Sequence, residues 1–124
     1  MAGHVIVVMS PPGEANPGDQ GRMVHAMTLA RDLRAAGQSV AVYFHGVGAR
    51  WLAAMADRND PFTRHYGALF DQIRDIAAGC EFCVTNRFGA TEGAKRLGVE
   101  LVGGLEEHHS VAARLVEGDQ LHTF

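Results

Sequence analysis

Short apolar segments alternate with helix-like segments along this chain. The first, residues 5–9, is a continuous apolar run rich in β-branched side chains, which is typical of a strand buried on both faces of a parallel sheet. Further apolar runs follow, and the segments between them repeat apolar residues at helical spacing. This alternation predicts an α/β fold in which helices cover both faces of a mainly parallel sheet.

The pattern places five strands and five helices along the chain. We expect strands at residues 5–9, 40–44, 82–85, 99–102 and 120–124, and helices over residues 21–36, 49–56, 66–78, 91–97 and 105–117. The sequence shows no internal repeat or linker, and a chain of 124 residues has room for one core. We therefore predict a single domain over residues 1–124.

Composition excludes several classes of protein. Hydrophobic residues make up 47% and charged residues 20%, which is globular rather than disordered composition. A net charge of −3 without a Lys/Arg cluster argues against a nucleic-acid partner. The longest aliphatic run is too short to span a bilayer and no basic residue precedes it, as one would in a signal peptide. Two cysteines do not make a disulfide scaffold, so we expect a cytoplasmic protein.

In folds of this kind ligands bind beyond the carboxyl ends of the strands, here residues 10–20, 45–50, 83–89 and 103–109. The first of these loops has Gly13 and Gly18 at P-loop spacing, but Asp19 and Gln20 stand where that motif needs Lys and Ser/Thr. We therefore expect no nucleotide. A small anion near Ser10 and Gly13, at the start of the first helix, remains one interpretation, and a plain surface loop is the other.

The second segment follows the second strand. Gly46 and Gly48 lack the third glycine of a dinucleotide fingerprint and predict a tight turn instead. If the first strand lies between the second and third, His45 shares an edge of the sheet with Ser10 and Cys83. His45 could equally be a strand-end histidine that is merely hydrogen-bonded.

Cys80 and Cys83 form a C-x-x-C pair with three competing interpretations. A redox dithiol is disfavoured because residues three apart in a strand lie about 10 Å apart, beyond the 7 Å limit for a disulfide. A zinc site needs two more ligands, and the neighbours His108 and His109 point apart if they are helical. The third interpretation is one reactive thiol, Cys83, at the carboxyl end of the third strand, where following backbone N–H groups favour the thiolate. Two inert cysteines are the alternative to all three.

Three short motifs, in this order along the chain, resemble the DsrE/DsrF-like family. They are the strand end 42–46 (VYFHG), the Cys83-Val84-Thr85 stretch ending in Gly89, and the closing 121–124 (LHTF). The resemblance covers about residues 5–124 and implies a three-layer α/β/α sandwich that assembles as trimers or hexamers. It also implies a persulfide on the cysteine after a central strand, which by motif position is Cys83. Residues 85–88 are more polar than in the sulfur-relay members.

The expected function is therefore sulfur handling. Cys83 would accept sulfane sulfur and pass it to a partner thiol without metal or cofactor, His45 would assist proton movement, and Arg87 would hold the thiolate or an anionic substrate. Gly46 and Asn86 are further ligand-contact candidates. The partners would be a sulfur donor, a sulfur acceptor and other copies of this chain.

Two alternatives stay open, a module that only binds a small anion and a subunit that only assembles. Both the leading function and the second alternative involve self-association. Apolar residues at helical spacing, such as Trp51, Leu52, Phe70 and Ile73, support it, because a small sheet can cover only so many of them.

Overall fold

Five strands form a single parallel sheet in the computed structural model, which describes residues 3–124. The strands are β1 (His4–Val8), β2 (Val40–Phe44), β3 (Ala77–Cys80), β4 (Glu100–Val102) and β5 (Gln120–Thr123). They lie in the order β4-β3-β2-β1-β5, and every neighbouring pair is parallel. The predicted α/β class is confirmed, and the mainly parallel sheet is parallel throughout.

Five α-helices connect the strands: α1 (Pro17–Ala35), α2 (Arg50–Ala56), α3 (Pro61–Asp71), α4 (Thr91–Leu97) and α5 (Ala112–Val116). Two short 3-10 turns (Gly46–Ala49 and Arg74–Ile76) and a turn of π-helix (Phe82–Arg87) complete the connections. Local signals set several boundaries. Asp60 caps α3 by accepting hydrogen bonds from the first-turn backbone N–H groups of Phe62 and Thr63, and Gly98 ends α4 with a left-handed backbone.

The strand order determines where the connections run. From β1 to β4 the chain moves across the sheet in one direction, and it then returns past β1 to form β5. Because parallel crossovers are right-handed, the connections before β4 share one face and the connection from β4 to β5 crosses the other. This arrangement agrees with a three-layer α/β/α sandwich. The condition under which His45 was to share an edge with Ser10 and Cys83, with β1 between β2 and β3, is not met, since β1 lies between β2 and β5.

The core fills the space between one face of the sheet and helices α1 to α4. Its largest fully buried side chains include Trp51, Phe44 and Phe70. Trp51 donates its indole N–H to the Ser10 carbonyl over 2.8 Å, which joins α2 to the carboxyl end of β1. Leu52 and Ile73 are also fully buried. These residues therefore serve the core of the protomer, and they do not supply the exposed apolar face on which we expected copies to associate.

The third strand is displaced from its predicted position. We expected a strand at residues 82–85 after a helix reaching to residue 78, but α3 ends at Asp71 and β3 is Ala77–Cys80. Glycine is needed at position 79 of this strand, because a Cβ there would lie 2.8 Å from Leu52 Cδ1 and 2.9 Å from Val84 Cγ2. A strand built from alanine and glycine lacks the β-branched signal that marks β1 and β2, and its alanines favour helix on propensity alone.

Smaller differences concern the first and last helices. Helix α1 begins at Pro17, so the first loop is shorter than predicted, and α5 begins at Ala112, so residues 103–111 have no helical structure. Among residues 3–124, no helix combines the length and the apolar character needed to cross a membrane.

Candidate functional site

Two cysteines come together where β3 ends. Cys80 is the last residue of β3, and the chain then turns into the π-helix that contains Cys83. The wide turn is closed by hydrogen bonds from Phe88 N to Cys83 O (3.0 Å) and from Ala90 N to Val84 O (2.8 Å). Because the chain curls back instead of continuing as a strand, the two sulfur atoms lie within 4.8 Å of each other. The expected separation of an extended chain is therefore wrong for this pair, and Cys83 lies just beyond β3 instead of within a strand.

His108 completes this cluster from the next connection along the sheet. Residues 103–111 leave the carboxyl end of β4, the neighbour of β3, and pass beside the sulfur atoms. The Nδ1 atom of His108 lies 3.2 Å from Cys83 Sγ, and its ring packs on Phe82 with 4.5 Å between centroids. Gly103 permits this path, because its φ of +91° favours glycine and a Cβ there would lie 2.8 Å from His109 Cα. We call Cys80, Cys83 and His108 the thiol–imidazole cluster.

A second contact network surrounds His109. Its backbone N–H donates to Cys80 Sγ over 3.3 Å, so Cys80 also has a nearby hydrogen-bond donor. The His109 ring packs on Tyr43 at 4.7 Å between centroids, and its Nδ1 lies 3.0 Å from Nε2 of His45. His45 therefore reaches the cluster through His109.

Burial dominates the electrostatics of the site. Both cysteines are only 1% exposed. Burial, followed by a hydrogen bond with the Cys80 thiol, raises the pKa of Cys83 above its usual range, while a hydrogen bond from the Gly46 backbone and the positive charge of Arg87 act in the opposite direction. The turn that follows Cys83 therefore does not lower the pKa of its thiol overall, in contrast to our expectation.

The two neighbouring imidazoles are held neutral by their surroundings. Burial, with smaller contributions from the charges of His109 and His108, lowers the pKa of His45 to about 4. Burial also lowers the pKa of His109 below its usual value. Near neutral pH both rings are therefore uncharged, and one of them can donate a hydrogen bond to the other.

The predicted site residues fall into two groups, those near the thiol–imidazole cluster and those away from it. Gly46 contacts Cys83 through its backbone, and Arg87 ends the π-helix with its guanidinium 5.3 Å from the centre of the Phe88 ring. Asn86 is exposed and donates to the Leu105 carbonyl over 2.8 Å. Asn86 thus ties the π-helix to the segment that carries His108.

Ser10 and Gly13 belong to the second group. Ser10 is buried at the end of β1, its carbonyl accepts the Trp51 indole N–H, and its hydroxyl has no hydrogen-bond partner within residues 3–124. Gly13 has a φ of +123° in an exposed turn and lines a small groove of about 250 Å³ together with Arg50 and Phe88. Neither residue is among the contacts of the thiol–imidazole cluster described above.

A larger groove lies elsewhere. It has a volume of about 820 Å³ and is lined by the end of α2, by α3 and by the end of α4. Four arginines line it: Arg58, Arg64, Arg74 and Arg96. Two of its lining residues, Arg74 and Leu97, come shortly before the first residues of β3 and β4, so the groove lies toward the amino edge of the sheet. We place the chemistry at the thiol–imidazole cluster instead, since size alone does not supply reactive groups.

The sequence pattern left out two members of the site. As metal ligands, His108 and His109 are disfavoured by their spacing in the sequence, because a helical His-His pair points its rings apart. In the structure this segment is not helical, and the two rings still diverge, so that the ring of His108 lies beside Cys83 and the ring of His109 lies beside His45. A histidine pair following β4, next to a C-x-x-C pair following β3, was the available signal.

Comparisons of this chain with protein-family models, with curated proteins and with solved structures find no match.

Proposed function

We propose that this chain is a small sulfur-handling protein in which Cys83 accepts sulfane sulfur as a persulfide and passes it to a partner thiol. The observation that carries the proposal is the surroundings of Cys83 Sγ: His108 Nδ1 at 3.2 Å, the Gly46 backbone as a hydrogen-bond donor, and the charge of Arg87. The motifs that resemble the DsrE/DsrF-like family, with Cys83 at the persulfide position, support the same assignment.

The chemistry is a pair of thiol exchange steps. The Cys83 thiol gives up its proton, and the thiolate attacks the outer sulfur of a donor persulfide, R–S–SH. A sulfur–sulfur bond forms at Cys83 as the donor bond breaks, and the departing thiolate R–S⁻ takes up the proton. The sum is R–S–SH plus Cys83–SH giving R–SH plus Cys83–S–SH. An acceptor thiol reverses the process, so no oxidant, metal or cofactor is consumed.

His108 is placed to handle the proton in both steps. Its Nδ1 is the ring atom nearest Cys83 Sγ, and its exposed ring can exchange protons with solvent. His45, proposed from the sequence for this role, contacts His109 instead and acts as a positioning residue for the segment that carries His108. Arg87 contributes positive charge that favours the thiolate and the anionic persulfide.

Access to Cys83 depends on residues 103–111. A thiol that is 1% exposed cannot meet a donor persulfide until the covering side chains move. His108 is the exposed member of the cluster, and the glycines at the start of its segment have positive φ values. Displacement of this segment is therefore the movement that we propose for exposing the sulfur.

The proposal extends to location and partners. Both cysteines are free, which suits the reducing cytoplasm where we place this protein. We also propose that it assembles as a trimer or hexamer. The exposed apolar side chains that support association are Met9, Leu105, Leu115, Val116 and Leu121. Light scattering of the purified chain at micromolar concentration tests this, and a species of 13.3 kDa alone rejects it.

The test of function is intact-mass measurement after incubation with a low-molecular-weight persulfide. Wild type and Cys80→Ser should each gain the mass of one sulfur atom, and Cys83→Ser should gain none. Excess thiol should then remove the added mass and yield the acceptor persulfide. Uptake by Cys83→Ser but not by Cys80→Ser would contradict the site assignment.

If neither cysteine takes up sulfur, sulfur handling is wrong. A module that only binds a small anion, or one that only assembles, would then be the better proposal. A binding module should keep its ligand when Cys83 is replaced, whereas an assembling subunit should depend on its oligomer alone.

A further inference from the structure

We propose that the thiol–imidazole cluster is also a binding site for a thiophilic metal ion, Zn²⁺ in the first instance. The sulfur atoms of Cys80 and Cys83 and one ring nitrogen of His108 all lie within 4.8 Å of one another. They come from the end of β3, the π-helix and the segment after β4, so the fold converges three ligand atoms on one point. This inference goes beyond sulfur handling and does not depend on it.

The spacing of the three atoms suits a tetrahedral zinc site. With the usual Zn–S and Zn–N bond lengths, two ligand atoms of one ion lie about 3.5–3.8 Å apart. The Cys83 Sγ to His108 Nδ1 distance is 3.2 Å, and the longest separation in the cluster is no more than 4.8 Å. Side-chain shifts of about 1 Å would therefore close the site around an ion. The ring of His108 is already oriented by its contact with Phe82.

The donor set selects the class of metal. Two thiolates and an imidazole are soft to borderline ligands, which favour Zn²⁺ or Cu⁺ over Mg²⁺ or Ca²⁺. The cluster contains no carboxylate. Three protein ligands leave the fourth tetrahedral position of zinc for water or an added thiol. His109 is not placed to fill it, because its ring contacts Tyr43 and His45.

A metal ion would also offset the cost of burying two thiolate charges. Each thiolate would be costly to bury alone, but binding exchanges two thiol protons for one divalent cation, and both protons leave to solvent. The backbone N–H of His109 already faces Cys80 Sγ, and the Gly46 backbone faces Cys83 Sγ. Such outer hydrogen bonds stabilise ligating sulfur.

Metal binding and sulfur loading exclude each other at Cys83. A thiolate that ligates zinc is not free to attack a persulfide, and a persulfidated Cys83 no longer presents the same ligand. Replacing Cys80 distinguishes metal binding from sulfur loading, because Cys80 is a ligand in the metal site and is not required for the persulfide.

The experiment titrates the reduced protein with Zn²⁺ in competition with a chromophoric chelator. One zinc per chain is expected, and Cys80→Ser, Cys83→Ser and His108→Gln should each weaken affinity by at least about 100-fold. His65→Gln is the matched control, because His65 is an exposed histidine on α3 that is not a member of the cluster. It should bind zinc like wild type. Melting in the presence of EDTA verifies that each variant is folded.

A second measurement does not depend on any variant. Co²⁺ bound to wild type should give the near-ultraviolet sulfur-to-cobalt charge-transfer band of thiolate ligation. Absence of this band, or equal zinc affinity in wild type and all three ligand variants, would overturn the metal site. Cys80→Ser keeps the two proposals apart: it should lose zinc and still take up sulfur. Zinc binding without sulfur uptake rejects sulfur handling alone, and sulfur uptake without zinc binding rejects the metal site alone.

Discussion

Replacing Gly48 by alanine tests how closely the turn that carries Gly46 is held against β1. Gly48 lies in the 3-10 turn after β2, where a Cβ atom would stand 2.1 Å from Val8 O and 2.8 Å from Val8 C. Both neighbours are backbone atoms of a central strand, so no side-chain rotation can relieve the overlap. The turn and the strand would have to separate by about 1 Å, which would disturb close packing on both sides.

The size of the effect follows from that geometry. Overpacking of a core costs typically 1–3 kcal/mol, and the upper end, about 3 kcal/mol, applies because both partners are backbone. For 124 residues the unfolding entropy at the midpoint is about 260 cal/mol/K, so each kcal/mol shifts Tm by about 4 °C. Gly48→Ala should therefore lower Tm by about 12 °C.

The matched control is Gly21→Ala in α1. A Cβ at Gly21 meets nothing within 4 Å, so the helix propensity of alanine should raise Tm by about 3–4 °C. Both variants are compared with wild type by differential scanning calorimetry. A Tm for Gly48→Ala within 2–3 °C of wild type, on the order of 0.5 kcal/mol, would refute the close approach of the turn to β1.

Three further predictions concern charge, capping and access. The pKa of His45 is lowered from 6.5 to about 4, so between these values the folded protein binds fewer protons than the unfolded chain. The contribution of neutral His45 to stability is therefore full above pH 6.5 and is lost as the pH falls toward 4. The upper limit of this contribution is about 3 kcal/mol, reduced to about 1–2 kcal/mol because the ring is partly exposed. Urea unfolding at pH 7 and pH 4.5 should show a smaller fall in the free energy of unfolding for His45→Gln than for wild type. Asp60→Ala should cost about 1 kcal/mol through the lost cap of α3, and Asp60→Asn should not, as thermal melts would reveal. Because His108 Nδ1 lies 3.2 Å from Cys83 Sγ and can take up its proton, a limiting alkylating agent at neutral pH should modify Cys83 before Cys80. Both thiols should react more slowly in the folded than in the unfolded protein, since each is 1% exposed, and faster labelling of Cys80 would contradict the assigned reactivity.

The elements that the sequence predicts well are those whose local signals agree with their packing. Strands β1 and β2 consist largely of apolar residues that are β-branched or aromatic and lie in the middle of the sheet, so burial and propensity point the same way. Strand β3 does not follow this rule. Gly79 has no room for a side chain because Leu52 and Val84 occupy the space above it, and only the folded structure shows that requirement.

The position of the candidate site could be predicted from the sequence, but not all of the residues that form it. The carboxyl edge of the sheet and Cys83 follow from the order of strands and loops. His108 comes from a segment 25 residues further along the chain, and its approach depends on the neighbouring positions of β3 and β4. Strand order is a long-range property, and periodicity along the chain does not report it. The π-helix that folds Cys83 back toward Cys80 likewise has no simple periodic signature.

Fragment-ion mass spectrometry of one tryptic peptide tests the central claim most directly. Cleavage after Arg74 and Arg87 releases residues 75–87, which contain both cysteines separated by two residues. Wild-type protein is loaded with a low-molecular-weight persulfide, alkylated after denaturation to trap thiols and persulfides, and digested. The account predicts fragment ions that carry the extra sulfur on Cys83 and none on Cys80. Extra sulfur confined to Cys80, or absent from the peptide altogether, would contradict it.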